Sequence, residues 1–552
     1  MAKATKVTKP EFKFKQENME SCFRLALKNI VKYGDTDIFP FPYETRMFDD
    51  MEEEMVTSLK DTYDNFDKKR DLAPPLNISS CSTVGYTGYR WATQIDPYWN
   101  AFFLGIVLKL SNEIENDRLD DSVVYSYRFN PDSSDYSLFD KKINWRKYQT
   151  DSLKFCEDNE DINYILTCDI ADFYPRIYHH RLENALDRLD EHKNTSSKIK
   201  KLLQLFSGTN SYGVPVGCPA SRILAELSLS SIDHILSVHG FKFKRYVDDF
   251  YIFCKTRESA HSALTFLSRK LMENEGLTLQ KHKTNIMSKE EFMTITKSKI
   301  NGLDEDEKSP MKASFMSLPI RYDPYSANAA EQYKEIKESL KDFNLLGMLS
   351  DELQKSKINQ PFSKQLIRSF AAVDDKTLSN AYSVICSSFN DLYPIFTTII
   401  QVATSNWDRF NNKAKEYIFN SVKDLIDNDS FILKTELNLA YVCKLLSRQN
   451  STTSRILLTE IYNSNINSIL ITNIITQAML KWNVHYWLSD LKRTFPTMNA
   501  LQRRTFVIAT YQLGDEGDHW RTHNKRNLNF IENIYKEWGA KRKASKNIGD
   551  AL

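Results

Sequence analysis

The sequence has no cysteine pair at C-x-x-C spacing. Cys22, Cys81, Cys156, Cys168, Cys218, Cys254, Cys386 and Cys443 are scattered along 552 residues. That spacing excludes a zinc ribbon and a disulfide framework, and it suits a reducing cytosol. No apolar segment follows the basic start MAKATKVTKPEFKFKQ, so a secretory signal is not expected there. The longest apolar stretch, SILITNIITQAML, is too short and too interrupted by polar residues to cross a bilayer. A soluble, cytoplasmic protein with no membrane partner is the expectation. Charge of one sign is also lacking: 74 basic residues face 72 acidic ones, a formal balance of +2. Bulk charge therefore does not announce nucleic acid, although a local basic groove would be compatible with it.

What is present is a globular composition, 41% hydrophobic and 12% aromatic, in a chain too long for one ordinary core. Residues 1–20 read as a basic flexible tail. From about 160 to 290, strand-like and helix-like segments alternate, which is α+β material. NYILTCDI reads as a strand, HHRLENALDRLD as a helix, and GTNSYGVPVGCPAS as a loop opening the helix RILAELSLSSIDHILSV. Further upstream, STVGYTGYRW reads as loop and SVVYSYRF as strand. Beyond about 330, strand-like segments give way to amphipathic helical ones such as AKEYIFNSVKDLI. The expected division is an α+β region over 21–300, a linker over 301–330, and an all-α, HEAT-like C-terminal region over 331–552.

The stretch FKFKRYVDDFYIFCK places Asp248 and Asp249 between two aromatic-rich runs. Alone, an Asp-Asp pair between strand-like runs reads as an exposed hairpin tip. A divalent-metal site is the other reading, because adjacent carboxylates repel unless a cation lies between them. A third carboxylate, Asp169, ends the strand-like run of NYILTCDIADFYPRI. One strand-borne aspartate, followed some eighty residues later by an aspartate pair, suits two-metal phosphoryl transfer. In that chemistry one ion activates the attacking hydroxyl and the other stabilises the leaving oxygen.

The ordered set of segments resembles a reverse transcriptase palm. YVDD (Tyr246 to Asp249) resembles the family's YxDD motif, and DIADFY, led by Asp169, resembles its first aspartate motif. YGVPVGCPASRILAE resembles the GxPxG loop and its helix, and GLTLQKHKTNI the lysine-bearing motif. GDTDIFPFPYE, the VPVG loop and the long helical C-terminus are similar to the bacterial abortive-infection and defence-associated enzymes. Val216 stands where retron and intron relatives carry glutamine, and Glu226 where many relatives carry asparagine.

The resemblance implies a right-hand fingers-and-palm fold and an RNA-directed DNA polymerase in antiphage defence. It implies Mg²⁺, or Mn²⁺ in its place, held by Asp169, Asp248 and Asp249. Deoxynucleoside triphosphates are the implied substrate. The DNA product could be covalently attached to the protein, an RNA template is left open, and a homo-oligomer is expected. Template-copying synthesis of the retron or intron kind is the alternative, and a non-catalytic nucleic-acid scaffold is the alternative of another class. Lys283 is the implied aid to the leaving pyrophosphate, and Tyr174 the aromatic that excludes a 2′-hydroxyl. Gly213, Pro215, Gly217 and Tyr246 complete the nucleotide-binding set. Arg128 is assigned either to the triphosphate or to a salt bridge, with Arg90 a weaker choice of the same kind. Tyr33 and Tyr43, flanking GDTDIFPFP, are the named priming tyrosines, each with a packed aromatic as the alternative. Asp172 is either a fourth acidic neighbour or a helix cap. His179 and His180 are expected at the surface. His519 and His523 have metal-pair spacing but no third ligand, so they too are read as surface residues.

Overall fold

The computed structural model describes residues 14–16, 18–36, 38–301, 310–318, 337–545 and 548–551. Most of the tail expected over 1–20 and much of the linker expected over 301–330 lie outside the described residues. Among the described residues the strands are β1 (Asn77–Val84), β2 (Gly88–Ile95), β3 (Tyr164–Asp169), β4 (Lys242–Tyr246), β5 (Asp249–Cys254) and β6 (Asn285–Ser288). No described helix is long and apolar enough to cross a membrane. The chain divides into two compact units. The first comprises Met1–Asp35, Glu44–Asp67 and Pro97–Phe292; the second comprises Thr36–Tyr43, Lys68–Asp96 and Met293–Leu552.

The first unit is built on an antiparallel sheet with strand order β4-β5-β3-β6. Its two central strands, YILTCD and DFYIFC, are almost wholly buried, so they read as continuous apolar runs rather than alternating ones. The helix Pro97–Leu108 is buried along its entire length. Trp99, Phe102 and Phe66 interlock there, with ring centroids 5.5–6.2 Å apart. The helix Pro219–Val238 begins on a proline, whose missing N–H costs nothing in a first turn.

Two segments depart from the sequence reading. SVVYSYRF is not a strand. Val124 makes a single bridge to Arg245, and Tyr127 turns to φ +47°. The backbone there presents carbonyls inward to Arg118 instead of pairing along a ladder. STVGYTGYRW is not loop: it forms the β1–β2 hairpin, in register from Asn77↔Ile95 to Val84↔Gly88. The turn glycines that suggested a loop are the hairpin's own, with Gly85 at φ +69°.

Apart from that hairpin, the described part of the second unit is helical. Its helices start where short polar side chains accept the first free N–H groups. Asn359, Asp374, Asn411, Ser451, Ser468 and Asn499 each cap one in this way. A buried ion pair, Arg504 to Asp96 at 2.6 Å, lies within this unit.

Candidate active site

The hairpin reading of FKFKRYVDDFYIFCK holds: β4 and β5 pair from Lys242↔Phe253 to Tyr246↔Asp249, and Val247 and Asp248 make the turn. It is not an exposed tip. Asp248 and Asp249 are part-buried and Val247 is buried. The register of β3 against β5 sets Asp169 directly opposite Asp249. The Ile170 N–H donates to the Asp248 carbonyl at 3.1 Å, which ties the turn to the end of β3. The sheet thus gathers the three aspartates at one end of neighbouring strands. The cost of gathering them appears at Asp248. Burial first, then the charges of Asp169 and Asp249, push its carboxyl up to about 7.

Lys283 reaches the same place from the short helical turn Lys281–Lys283, and its Nζ bonds Asp169 Oδ2. Burial would lower the ammonium's pKa. The hydrogen bond to Asp169 and the three aspartate charges more than offset this and raise it. Among the described residues no group of three or more His, Cys, Asp or Glu side chains is assembled to hold a metal ion. The donors are nevertheless of the right chemistry. Clustered carboxylates, one of which has its pKa raised by burial and by its neighbours' charges, suit a hard divalent cation.

The nucleotide-loop residues lie beside the first aspartate motif. Val214 N–H donates to the Tyr174 carbonyl at 3.0 Å, and Gly213 N–H to the Ile177 carbonyl at 2.8 Å. Gly213 and Gly217 sit at φ +98° and +111°. At Gly213 a side chain would also press on the Pro175 carbonyl, 3.1 Å from the Cβ position, so both shape and φ favour glycine. Pro215 is buried. Tyr174 is half-buried, and its surroundings hold its phenol well above the ordinary range. Tyr246 pairs with Asp249 and stacks on Tyr148, with centroids 5.7 Å apart.

Other named residues find different surroundings. Arg128 donates to the Leu119 and Val124 carbonyls at 2.7 and 3.2 Å and pairs with Glu115 at 2.6 Å. Of its two readings, the salt bridge is the one observed. His179 is not at the surface. It is buried, and its Nε2 meets the Gly213 carbonyl at 2.7 Å, while burial lowers its pKa. His180 is exposed. Asp172 caps a short helix without a side-chain hydrogen bond, at φ +48°. Tyr33 is 43% exposed and donates to Asp135 at 3.0 Å. Tyr43 is buried in the second unit, where its ring stacks on Trp538 at 5.9 Å and its hydroxyl meets Thr505 at 3.1 Å. Arg90 is exposed on β2, also in the second unit. His519 and His523 have no third metal ligand among the described residues.

The residues that hold the turn were not singled out in the sequence. Val247 has φ +57°, an unfavourable conformation for a β-branched side chain. Both of its peptide groups are clamped: its N–H donates to Ser126 Oγ at 2.8 Å, and its carbonyl accepts from Arg245 Nη1 at 2.6 Å. Ser126 in turn donates to Glu226. Arg245, fully buried, forks onto Asp233 and also pairs with Glu226 at 3.1 Å. Arg118 reaches Glu226 at 2.8 Å. Burial opposes the charge on Arg245, but Asp233 and Glu226 together hold its pKa above the ordinary range. Arg118 also pairs with Glu115 at 2.9 Å, and Glu115 with Arg128, so three guanidiniums and three carboxylates are linked around the Val247–Asp248 turn.

Residues 103–321 match the family model described as Reverse transcriptase (RNA-dependent DNA polymerase). That segment is a reverse-transcriptase domain. The aspartate-bearing sheet is its palm, and the activity it denotes is RNA-directed DNA polymerisation. Similar solved structures include telomerase from Candida albicans with a TWJ fragment of telomeric RNA. It is 12% identical, with 75% of this chain and 70% of that chain covered and a TM-score of 0.30. Apo telomerase from Candida tropicalis is 10% identical, with 72% and 70% covered and a TM-score of 0.29. No curated protein matches the sequence.

The charge balance under the reverse-transcriptase turn can be tested directly. Glu226→Ala leaves buried Arg118 with Glu115 and buried Arg245 with Asp233 as their remaining counter-charges, and should lower unfolding stability by about 3 kcal/mol. Denaturant titration measures this; a loss below about 1 kcal/mol would mean that the network does not brace the turn.

Proposed function

We propose that this protein is a reverse-transcriptase-like DNA polymerase that joins deoxynucleotides by two-metal nucleotidyl transfer and serves antiphage defence. The observation that carries the polymerase reading is the register of β3 against β5, which sets Asp169 opposite Asp249 beside the Asp248 turn. Asp169, Asp248 and Asp249 would hold Mg²⁺, or Mn²⁺ in its place. When bound, the metal would supply charge neutralisation and acidify the attacking hydroxyl. The chain's own residues do the rest. The clamp on Val247 fixes where Asp248 points, Lys283 balances Asp169, and the Gly213–Gly217 loop lets backbone approach a nucleotide closely. The defence role, the homo-oligomer and the cytoplasmic location rest on the resemblance of GDTDIFPFPYE, VPVG and the helical C-terminus to the abortive-infection enzymes. Template copying is the second reading, favoured by the family described for residues 103–321.

Purified protein incubated with labelled deoxynucleotides and Mg²⁺, with and without added RNA, tests both readings. Incorporation should stop with EDTA and return with excess Mg²⁺. Asp248→Asn and Asp249→Asn should each reduce it at least about 100-fold. A near-native rate in either variant would remove that aspartate from the metal set. Synthesis without RNA favours the defence-type reading, and strict RNA dependence favours template copying.

Tyr174 is proposed to exclude the 2′-hydroxyl. Tyr174→Ala should shift use toward ribonucleotides when both sugar pools compete, and an unchanged ratio would assign Tyr174 to packing alone.

DNA is further proposed to start on a tyrosine of the protein, whose phenol would replace a primer 3′-hydroxyl. Of the two named residues, Tyr33 is the accessible one. Label should stay with the protein through nuclease digestion and denaturing electrophoresis. If Tyr33 is the site, Tyr33→Phe removes the label and Tyr43→Phe does not. Product that always migrates free of protein would exclude self-priming.

A further inference from the structure

In the first unit a recess of about 390 Å³ opens between the start of the helix His179–Leu189 and the turn Leu271–Gly276. Arg176, Tyr178, Arg181 and Tyr212 line it, and none of the three aspartates does. Tyr178 and Tyr212 are partners in an isolated antiparallel bridge. Directly opposed residues in such a pair project to the same face, about 5 Å apart at Cβ. The two residues are 41% and 48% exposed, and the Tyr178 ring meets the His180 ring edge-on, with centroids 5.4 Å apart.

The charges around the recess are unequally committed. Glu273 pairs with Lys270 at 3.3 Å and approaches Arg269 at 3.9 Å. Glu275 is buried and accepts from Ser231 at 2.8 Å. Arg181 is exposed, and its charge acts on Glu275, where it opposes the upward push of burial on that carboxyl's pKa. Arg176 only approaches Asp172, at 3.9 Å. Two exposed tyrosines beside two exposed guanidiniums match a ligand that carries a ring and a phosphate.

We infer that this recess is a nucleotide subsite separate from the carboxylate centre. The base stacks on Tyr178 and Tyr212, and the phosphate meets Arg181 and Arg176. The occupant is a nucleotide, either free or as one unit of a single strand. The subsite goes beyond the polymerase reading, yet its walls join the nucleotide loop. His179 N–H donates to the Ser211 carbonyl at 3.0 Å, and Gly213 N–H to the Ile177 carbonyl at 2.8 Å. An occupant spanning both tyrosines therefore braces the short helix that carries Tyr174 and the loop that carries Gly213.

Binding to the full chain is measured with two probes in EDTA, which suppresses metal-dependent binding at the aspartates. The probes are ATP, followed by calorimetry, and a fluorescein-labelled (dT)10, followed by anisotropy. At least one should bind. Tyr178→Ala and Tyr212→Ala should each weaken it tenfold or more, in line with the loss of a stacked base. Arg181→Ala, at an exposed position that does not threaten the fold, should weaken it several-fold, and Tyr178→Phe should stay within twofold. ATP binding alone assigns the site to a free nucleotide, and oligonucleotide binding alone to a strand. The inference is overturned if neither probe binds, if all alanine variants stay within twofold of wild type, or if Tyr178→Phe loses as much as Tyr178→Ala.

Discussion

The first unit depends on a buried guanidinium. Arg245 lies on β4 with no exposure, one residue before the YVDD sequence, and both bonds that clamp Val247 pass through it or its partners. Burying a charge in a protein interior is costly unless its partners are well placed. Here Asp233 and Glu226 come from one helix, Pro219–Val238, so that helix sets the sheet's position as well as packing against it. Ser126 then links the same Glu226 to the Val247 N–H. Pulling the helix away would therefore strain the turn before it disturbed the apolar core.

This arrangement bears on the chemistry. Three like charges at a sheet end repel, and flexible aspartates would relieve the repulsion by swinging apart. Here Val247 is clamped on both sides, and the Asp248 carbonyl is bonded to Ile170 N–H, so the backbone cannot yield. Burial first, and then the two neighbouring aspartate charges, raise the proton affinity of Asp248, partly offset by Lys283. A preorganised cluster of this kind has little reorganisation left to undergo when a cation and a triphosphate arrive.

The aspartates were legible in the sequence because each sits at a local break in an apolar strand pattern, and because four motifs fell in order. Helices beyond residue 330 were legible from periodicity. The bracing residues were not. Arg245 looks like one more basic residue in FKFKRY, and Ser126 lies within an apolar run that reads as a strand. The partners of Ser126 lie a hundred or more positions away, and those of Arg245 lie on another element, the helix Pro219–Val238, which neither periodicity nor propensity encodes. His179 misled for a related reason: two histidines at a helix start look solvated until a loop from residue 213 covers one of them. Arg128 has the right chemistry for phosphate, and the sequence did not show that Glu115 and two carbonyls also hold its guanidinium.

The two units are interleaved along the chain. Segments Thr36–Tyr43 and Lys68–Asp96 belong with Met293–Leu552, while the stretches between them belong with the palm. During synthesis, the β1–β2 hairpin emerges some two hundred residues ahead of the bulk of its own unit. Tyr43 waits longer still for Thr505 and Trp538. Pairings of such long sequence separation form late and slowly, and their unpaired surfaces are aggregation hazards in the interval. The palm can close first around its own core, while the early segments of the second unit are held in reserve. The same interleaving means that no single cut releases either unit intact, so a truncated chain would lose parts of both.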